Sequence, residues 1–240
     1  MRIPTLTASA AAMTALALLL SGCGSDTKTA TPTSAASDTS AKSSSTTKSP
    51  PTATKAKIAE RDEGATGPNP TIASYIEENG IQESAVAMGD PGSPTINLPV
   101  PEGWEPAGED KPDWAYGAIV YTGPEAAEYS PSIVAIVSKL SGDVDPQQII
   151  DLAPGELNNL DGFEAMNEGA VSTLGEYPAY QLGGTWQSEG QTKIIAQKTV
   201  VIPGPDGLYV LQLNADGLEN QADVVGAATD IIDSDTTITF

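Results

Sequence analysis

Four β-rich runs follow one another between residues 168 and 215, and the gaps between them hold only turn-formers. The runs are 168–174, 178–187, 192–202 and 208–215. They are separated by Gly175-Glu176, Ser188-Glu189-Gly190 and Pro203-Gly204-Pro205-Asp206-Gly207. A parallel neighbour needs a crossover of about a dozen residues or more, so gaps this short impose an antiparallel meander. Such a sheet must bury at least one face, and the flanking segments carry helix signals that can supply the cover.

Before the meander, Asn69-Pro70 reads as a helix cap and first position. Ile72, Tyr75 and Ile76 follow on one face, and Gly80 stops the helix. Residues 96–98 form a short strand broken by Pro99 and Pro101, and 115–122 and 132–140 are further β-rich runs. Asp145-Pro146-Gln147-Gln148 has a capping-box signature and opens a helix carrying Ile149, Ile150 and Leu152. Pro154-Gly155 interrupts that helix, which resumes through Leu157 and Leu160 and stops at Gly162. After the meander, Val224, Ala228, Ile231 and Ile232 recur at helical spacing, and 238–240 can form a last strand. The order of helix, strands, helix, meander and helix defines an α+β domain over residues 70–240, an antiparallel sheet flanked by helices.

The other end of the chain has a different character. Arg2 precedes an apolar run over 6–20 that is long enough for a signal peptide and too short to span a bilayer. The run ends in Leu20-Ser21-Gly22-Cys23. The small residues suit a protease cleft, and the cysteine can take a diacylglycerol through a thioether and a further acyl chain, of the palmitate type, on its freed amine. Cys23 is the only cysteine of the 240 residues, so it has no disulfide partner in the chain. Residues 1–22 are therefore expected to be a lipoprotein signal peptide and Cys23 the lipidation site. The protein is then held in the cell membrane on the extracytoplasmic face by two or three acyl chains.

Residues 23–69 read as a disordered tether. The stretch is rich in Ser, Thr, Ala, Lys and Pro, lacks aromatics, and has little that could offset the entropy of ordering. Its root-mean-square reach is roughly 40 Å. Charge divides the chain at the same boundary. Residues 24–63 hold six basic and five acidic residues, whereas 64–240 hold four lysines, no arginine and 27 acidic residues, a formal charge of −23. A body so acidic repels nucleic acid and anionic lipid headgroups, so no nucleic acid is expected as a partner. The acidity reads as a solvated surface in preference to a mark of one cationic partner.

Several chemistries are excluded by composition. With no histidine in the chain, Ser-His and Cys-His catalysis and histidine metal sites are absent. The folded part has no arginine for a bidentate phosphate clamp. Asp233-Ser234-Asp235 and Asp206-Gly207 resemble pieces of calcium loops, but neither continues into the bidentate glutamate that an EF-hand requires. Ser138-Lys139 is not a Ser-Lys dyad, because neighbours on a strand point to opposite faces. No catalytic residue, cofactor or dedicated metal site is expected, although abundant carboxylates leave a carboxylate-dependent hydrolase as a remote alternative.

Aromatic residues are the remaining binding candidates. Trp104, Trp114, Tyr116, Tyr121 and Tyr129 cluster early in the domain, with Tyr180 and Trp186 on the meander. Amphipathic rings suit ligand grooves as well as cores. Trp104, Trp114, Tyr116 and Trp186 are taken as candidate ligand contacts, with core packing favoured for Trp186.

One resemblance covers the whole domain. Thr71-Ile72 through Tyr75-Ile76, Gly80-Ile81, Pro99 through Gly103-Trp104, Ala115-Tyr116-Gly117-Ala118-Ile119-Val120-Tyr121 and Tyr209-Val210-Leu211-Gln212-Leu213 resemble the LpqN/LpqT family of mycobacterial cell-envelope lipoproteins. The resemblance implies a PsbP-like α/β/α sandwich and a place in envelope lipid traffic beside large lipid exporters, without catalytic residues. The expected function is a non-catalytic binding or accessory module for envelope lipid, of the mycolate-type glycolipid class, acting as a monomer. The alternative is a protein adaptor or surface antigen with no small ligand.

Overall fold

The structure, a computed structural model, describes residues 67–188 and 190–240. Cys23, the signal peptide and most of the tether lie outside the described residues. The described chain runs α1 (Ile72–Glu78), β1 (Gln82–Ala85), β2 (Thr95–Asn97), β3 (Trp104–Pro106), β4 (Gly117–Tyr121), β5 (Ser132–Ser141), α2 (Pro146–Leu152), α3 (Gly155–Asn158), β6 (Glu164–Ala165), β7 (Ala170–Leu174), β8 (Tyr177–Ser188), β9 (Gln191–Gly204), β10 (Gly207–Leu218), α4 (Ala222–Asp235) and β11 (Thr237–Thr239).

Nine strands form one antiparallel sheet in the order β3-β4-β5-β10-β9-β8-β6, with β1 also on β5 and β7 also on β8. The meander is continuous: β7 pairs β8, β8 pairs β9 and β9 pairs β10. Gly175 closes the β7–β8 turn at φ 59°, where a side chain would be strained. A separate pair, β2 with β11, ties the C-terminal strand back to the front of the domain.

Both faces of the sheet are covered, and strand alternation assigns each residue to one of them. Ala135 and Val137 of β5, Val200 and Ile202 of β9, and Leu211 and Leu213 of β10 pack against Val225, Ala228 and Ile232 of α4. The intervening Leu140, Val201, Leu208 and Val210 pack against Ile72 of α1, Ile149 and Ile150 of α2, and Ala153 at the C-terminal cap of α2. Leu157 of α3 extends that second layer over Leu182 and Ile195. The molecule is thus an α+β fold with helices on both sides of an antiparallel sheet. Truncating a fully buried member such as Leu211 to alanine would remove about 2–5 kcal/mol.

Several local expectations are corrected. The α1 cap is Thr71 and not Asn69, because Thr71 Oγ1 accepts from Ser74 N (3.1 Å) while Ser74 Oγ accepts from Thr71 N (2.9 Å). Asn69 is engaged elsewhere. Its amide N–H donates to Asn159 Oδ1 (3.0 Å) and its carbonyl accepts from Asn159 Nδ2 (2.8 Å), so residue 69 belongs with the domain. In α2, Asp145 Oδ1 caps Gln147 N (2.9 Å), but the return bond of a capping box is replaced: Asp145 N donates to the Tyr75 hydroxyl (3.0 Å). On α4 the buried face is Val225, Ala228 and Ile232, whereas Ile231 is exposed.

Candidate functional site

One row of side chains across the sheet is unusually small. Register places Gly183 of β8 opposite Ala196 of β9, Ala196 opposite Ala215 of β10, and Ala215 opposite Ile133 of β5. All four line the same space under α4. Glycine and alanine fill little of the gap between sheet and helix, and a cavity of about 290 Å³ results. This lies near the lower end of ordinary small-ligand sites, roughly 300 Å³. Ile133, Leu213 and Ala215 form its buried apolar floor on the sheet, and Ile232 of α4 faces them from above. Its exposed edge carries Asn167, Gln181 and Asp230.

The next row up the sheet carries the site's only lysine. Lys198 stands between Gln181 of β8 and Leu213 of β10. It is 8% exposed, in an inward series otherwise made of Ile194, Ala196, Val200 and Ile202. Its Nζ donates to Asp233 Oδ2 of α4 at 2.5 Å and to the Thr173 carbonyl at a long 3.5 Å. The pair joins the sheet to the helix at the cavity wall and satisfies a charge that would be costly to bury alone. The side chain of Gln181, its neighbour in register, has no hydrogen-bond partner among the described residues.

The two fragments that resembled calcium loops are taken up by lysines. Asp233 holds Lys198, and Asp206 holds Lys139 at 2.6 Å. The Lys139 hydrogen bond, followed by that from the Tyr209 hydroxyl (3.0 Å), holds the Asp206 carboxyl below the ordinary carboxylate range. Burial in turn raises the Tyr209 hydroxyl. Among the described residues no group of three or more acidic or other metal-ligating side chains is placed to hold an ion.

None of the four candidate aromatics lines the cavity. Trp104 is 5% exposed in the core under α4, its ring centroid 5.7 Å from that of Tyr121. Gly103 (φ 80°) permits that approach, since a Cβ there would stand 2.9 Å from the Tyr121 ring. Tyr116 is 2% exposed; its hydroxyl accepts from Ile96 N (3.1 Å) and donates to the Pro94 carbonyl (3.4 Å), anchoring β2. Trp186 is half-buried, packs beside the α3 cluster and donates from Nε1 to the Asp161 carbonyl (3.1 Å). Trp114 is exposed. The cavity residues were missed because a space is made by missing atoms. The available signals were the small residues at inward positions of adjacent strands and one lysine inside an apolar alternation.

A second, smaller cavity of about 170 Å³ lies on the opposite face between α1 and the sheet. Its wall includes Glu156, whose Oε2 accepts from Gln197 Nε2 (2.8 Å) and Gln212 Nε2 (3.2 Å). Those bonds are internal to the fold and leave the carboxylate committed.

Comparison with known proteins agrees with this architecture. The family model Lpp-LpqN, probable lipoprotein LpqN, matches residues 68–239. Lipoprotein LpqN of Mycobacterium tuberculosis is 51% identical over 177 residues, which is 73% of this chain and 76% of that protein. Putative lipoprotein LpqT of Mycobacterium leprae is 27% identical over 155 residues, covering 63% of this chain and 68% of that protein. The crystal structure of LpqN involved in cell envelope biogenesis of Mycobacterium tuberculosis superposes with a TM-score of 0.69 at 50% identity, covering 72% of this chain and all of that one. By the extent of these matches, the chain belongs to the Lpp-LpqN lipoprotein family.

Proposed function

We propose that this protein is a non-catalytic module of cell-envelope biogenesis that holds the acyl part of an envelope lipid beneath α4, while a lipid on Cys23 anchors it to the extracytoplasmic face of the membrane. The observation that carries the binding role is the cavity over Gly183, Ala196 and Ala215, with an apolar floor and a polar edge. Burial of about 25 cal/mol per Å² of apolar ligand surface would drive occupancy, and the small volume suits a segment of one chain, with the rest of the lipid outside. The involvement of LpqN in envelope biogenesis supports the same setting. The net charge of −23 over residues 64–240 favours neutral glycolipids, of the mycolate type, over anionic lipids. A large lipid exporter is the kind of membrane partner with which such a carrier would exchange its load.

Native mass spectrometry tests the reading. Full-length chain carrying Cys23→Ser is incubated with neutral envelope lipids and desalted. The expected spectrum shows one lipid per chain. A spectrum of bare protein across the lipid classes would favour a protein adaptor without a small ligand.

A further inference from the structure

The cavity has a polar group whose arrangement bears on which lipid enters it. Lys198 is one of four lysines in residues 64–240 and lines the space beside Gln181 and Asp233. An ammonium carries three N–H donors. Two are directed to Asp233 Oδ2 (2.5 Å) and the Thr173 carbonyl (3.5 Å), the latter long for a hydrogen bond. One donor remains for an acceptor inside the cavity. The charge is already balanced by Asp233, and Asp230 stands on the same wall. A carboxylate brought here would be desolvated beside two carboxylates with only one cation among them, and repulsion would oppose it. An uncharged carbonyl oxygen has only to accept one hydrogen bond.

We infer that Lys198 recognises the carbonyl oxygen of an uncharged acyl compound, an ester or amide, and that the Lys198–Asp233 pair excludes free fatty-acid carboxylates. Lys198 supplies the attraction. Asp233 supplies the rejection, acting as the repulsive element from which discrimination between related ligands arises. The inference rests on the acyl-binding reading above and adds the orientation, carbonyl against Lys198 of β9 beside the polar edge, headgroup outside and chain over Leu213 and Ala215.

Three probes of equal length separate the possibilities: methyl decanoate, decanoate and decane, titrated against the full-length Cys23→Ser chain at neutral pH. Methyl decanoate is expected to bind at least about tenfold more tightly than either of the others, the value of one hydrogen bond to a charged donor. Lys198→Met should bring methyl decanoate to the level of decane. Asp233→Asn should raise decanoate affinity about tenfold, because the cation is then unbalanced; this gain cannot arise from misfolding. Equal binding of methyl decanoate and decane by the parent chain, or no gain for decanoate in Asp233→Asn, overturns the role of the pair while leaving acyl binding intact. Failure of all three probes to bind overturns acyl binding itself and this inference with it.

Discussion

Lys198 Nζ lies 2.5 Å from Asp233 Oδ2, linking the middle of β9 to the last turn of α4. The two ends of this bond are unequal: the lysine side chain is 9% exposed and the aspartate side chain 39%. Removing the exposed partner strands a buried ammonium, whereas removing the buried partner leaves a carboxylate that water can solvate. Asp233→Ala is therefore expected to cost about 1–2 kcal/mol, discounted for solvent screening. Lys198→Met, which completes the apolar series on β9, should be neutral or stabilising. Urea unfolding of the two variants checks the order, and a larger loss for Lys198→Met would contradict it.

Tyr116→Phe tests the front of the domain. The phenol oxygen accepts the buried Ile96 N–H at 3.1 Å, and its loss leaves that donor without a partner. A loss of about 1–3 kcal/mol is expected in thermal or urea unfolding. Because Thr237 and Thr239 of β11 stand opposite Asn97 and Thr95 in the hydrogen-bonded pairs of the β2–β11 ladder, hydrogen exchange of the Thr237 and Thr239 amides should accelerate as well.

Acid stability should respond to Lys139. The folded state holds Asp206 below the ordinary carboxylate range, first through the Lys139 hydrogen bond and then through Tyr209. A depressed carboxylate favours folding when ionised. Its contribution is complete above the unfolded value, about 3.9, and is lost as pH falls below that toward the depressed folded value. Lys139→Met should remove this part of the acid limb, so the parent and variant unfolding curves differ at neutral pH and converge under strong acid. Curves that keep the same separation throughout would contradict the assignment.

Cys23→Ser is expected to move the protein from the membrane fraction to the soluble extracytoplasmic fraction, with unfolding of the domain unchanged. Persistence in the membrane fraction would show that something other than a lipid on this cysteine holds the chain there.

How far the fold was legible depended on repetition. The meander from β7 to β10 was readable because long strands with turn residues between them admit one local topology. Asp145 as the α2 cap and the existence of α4 were equally plain. Strands β1 and β3 gave no such signal. All four residues of β1 are exposed, so no alternation marks it, and β3 contains Pro106. Each is a short segment defined by its partner, β5 or β4, and not by its own sequence. The aromatic candidates illustrate a different limit. Composition identifies rings suited to a groove, but Trp104 and Tyr116 are buried among residues distant in sequence. The cavity follows from Gly183, Ala196 and Ala215 being adjacent, and that adjacency exists only once strand register is known.

Side-chain methyl NMR of Ile133, Leu213 and Ile232 during titration with methyl decanoate tests the central claim most directly. These residues line the cavity from the sheet below and from α4 above, and their resonances should shift together along one saturating isotherm. Ala196→Leu, which fills the floor, should abolish those shifts while the domain stays folded. Shifts confined to Ile72, Leu140 and Val210 on the opposite face, or no shifts at all, would contradict it.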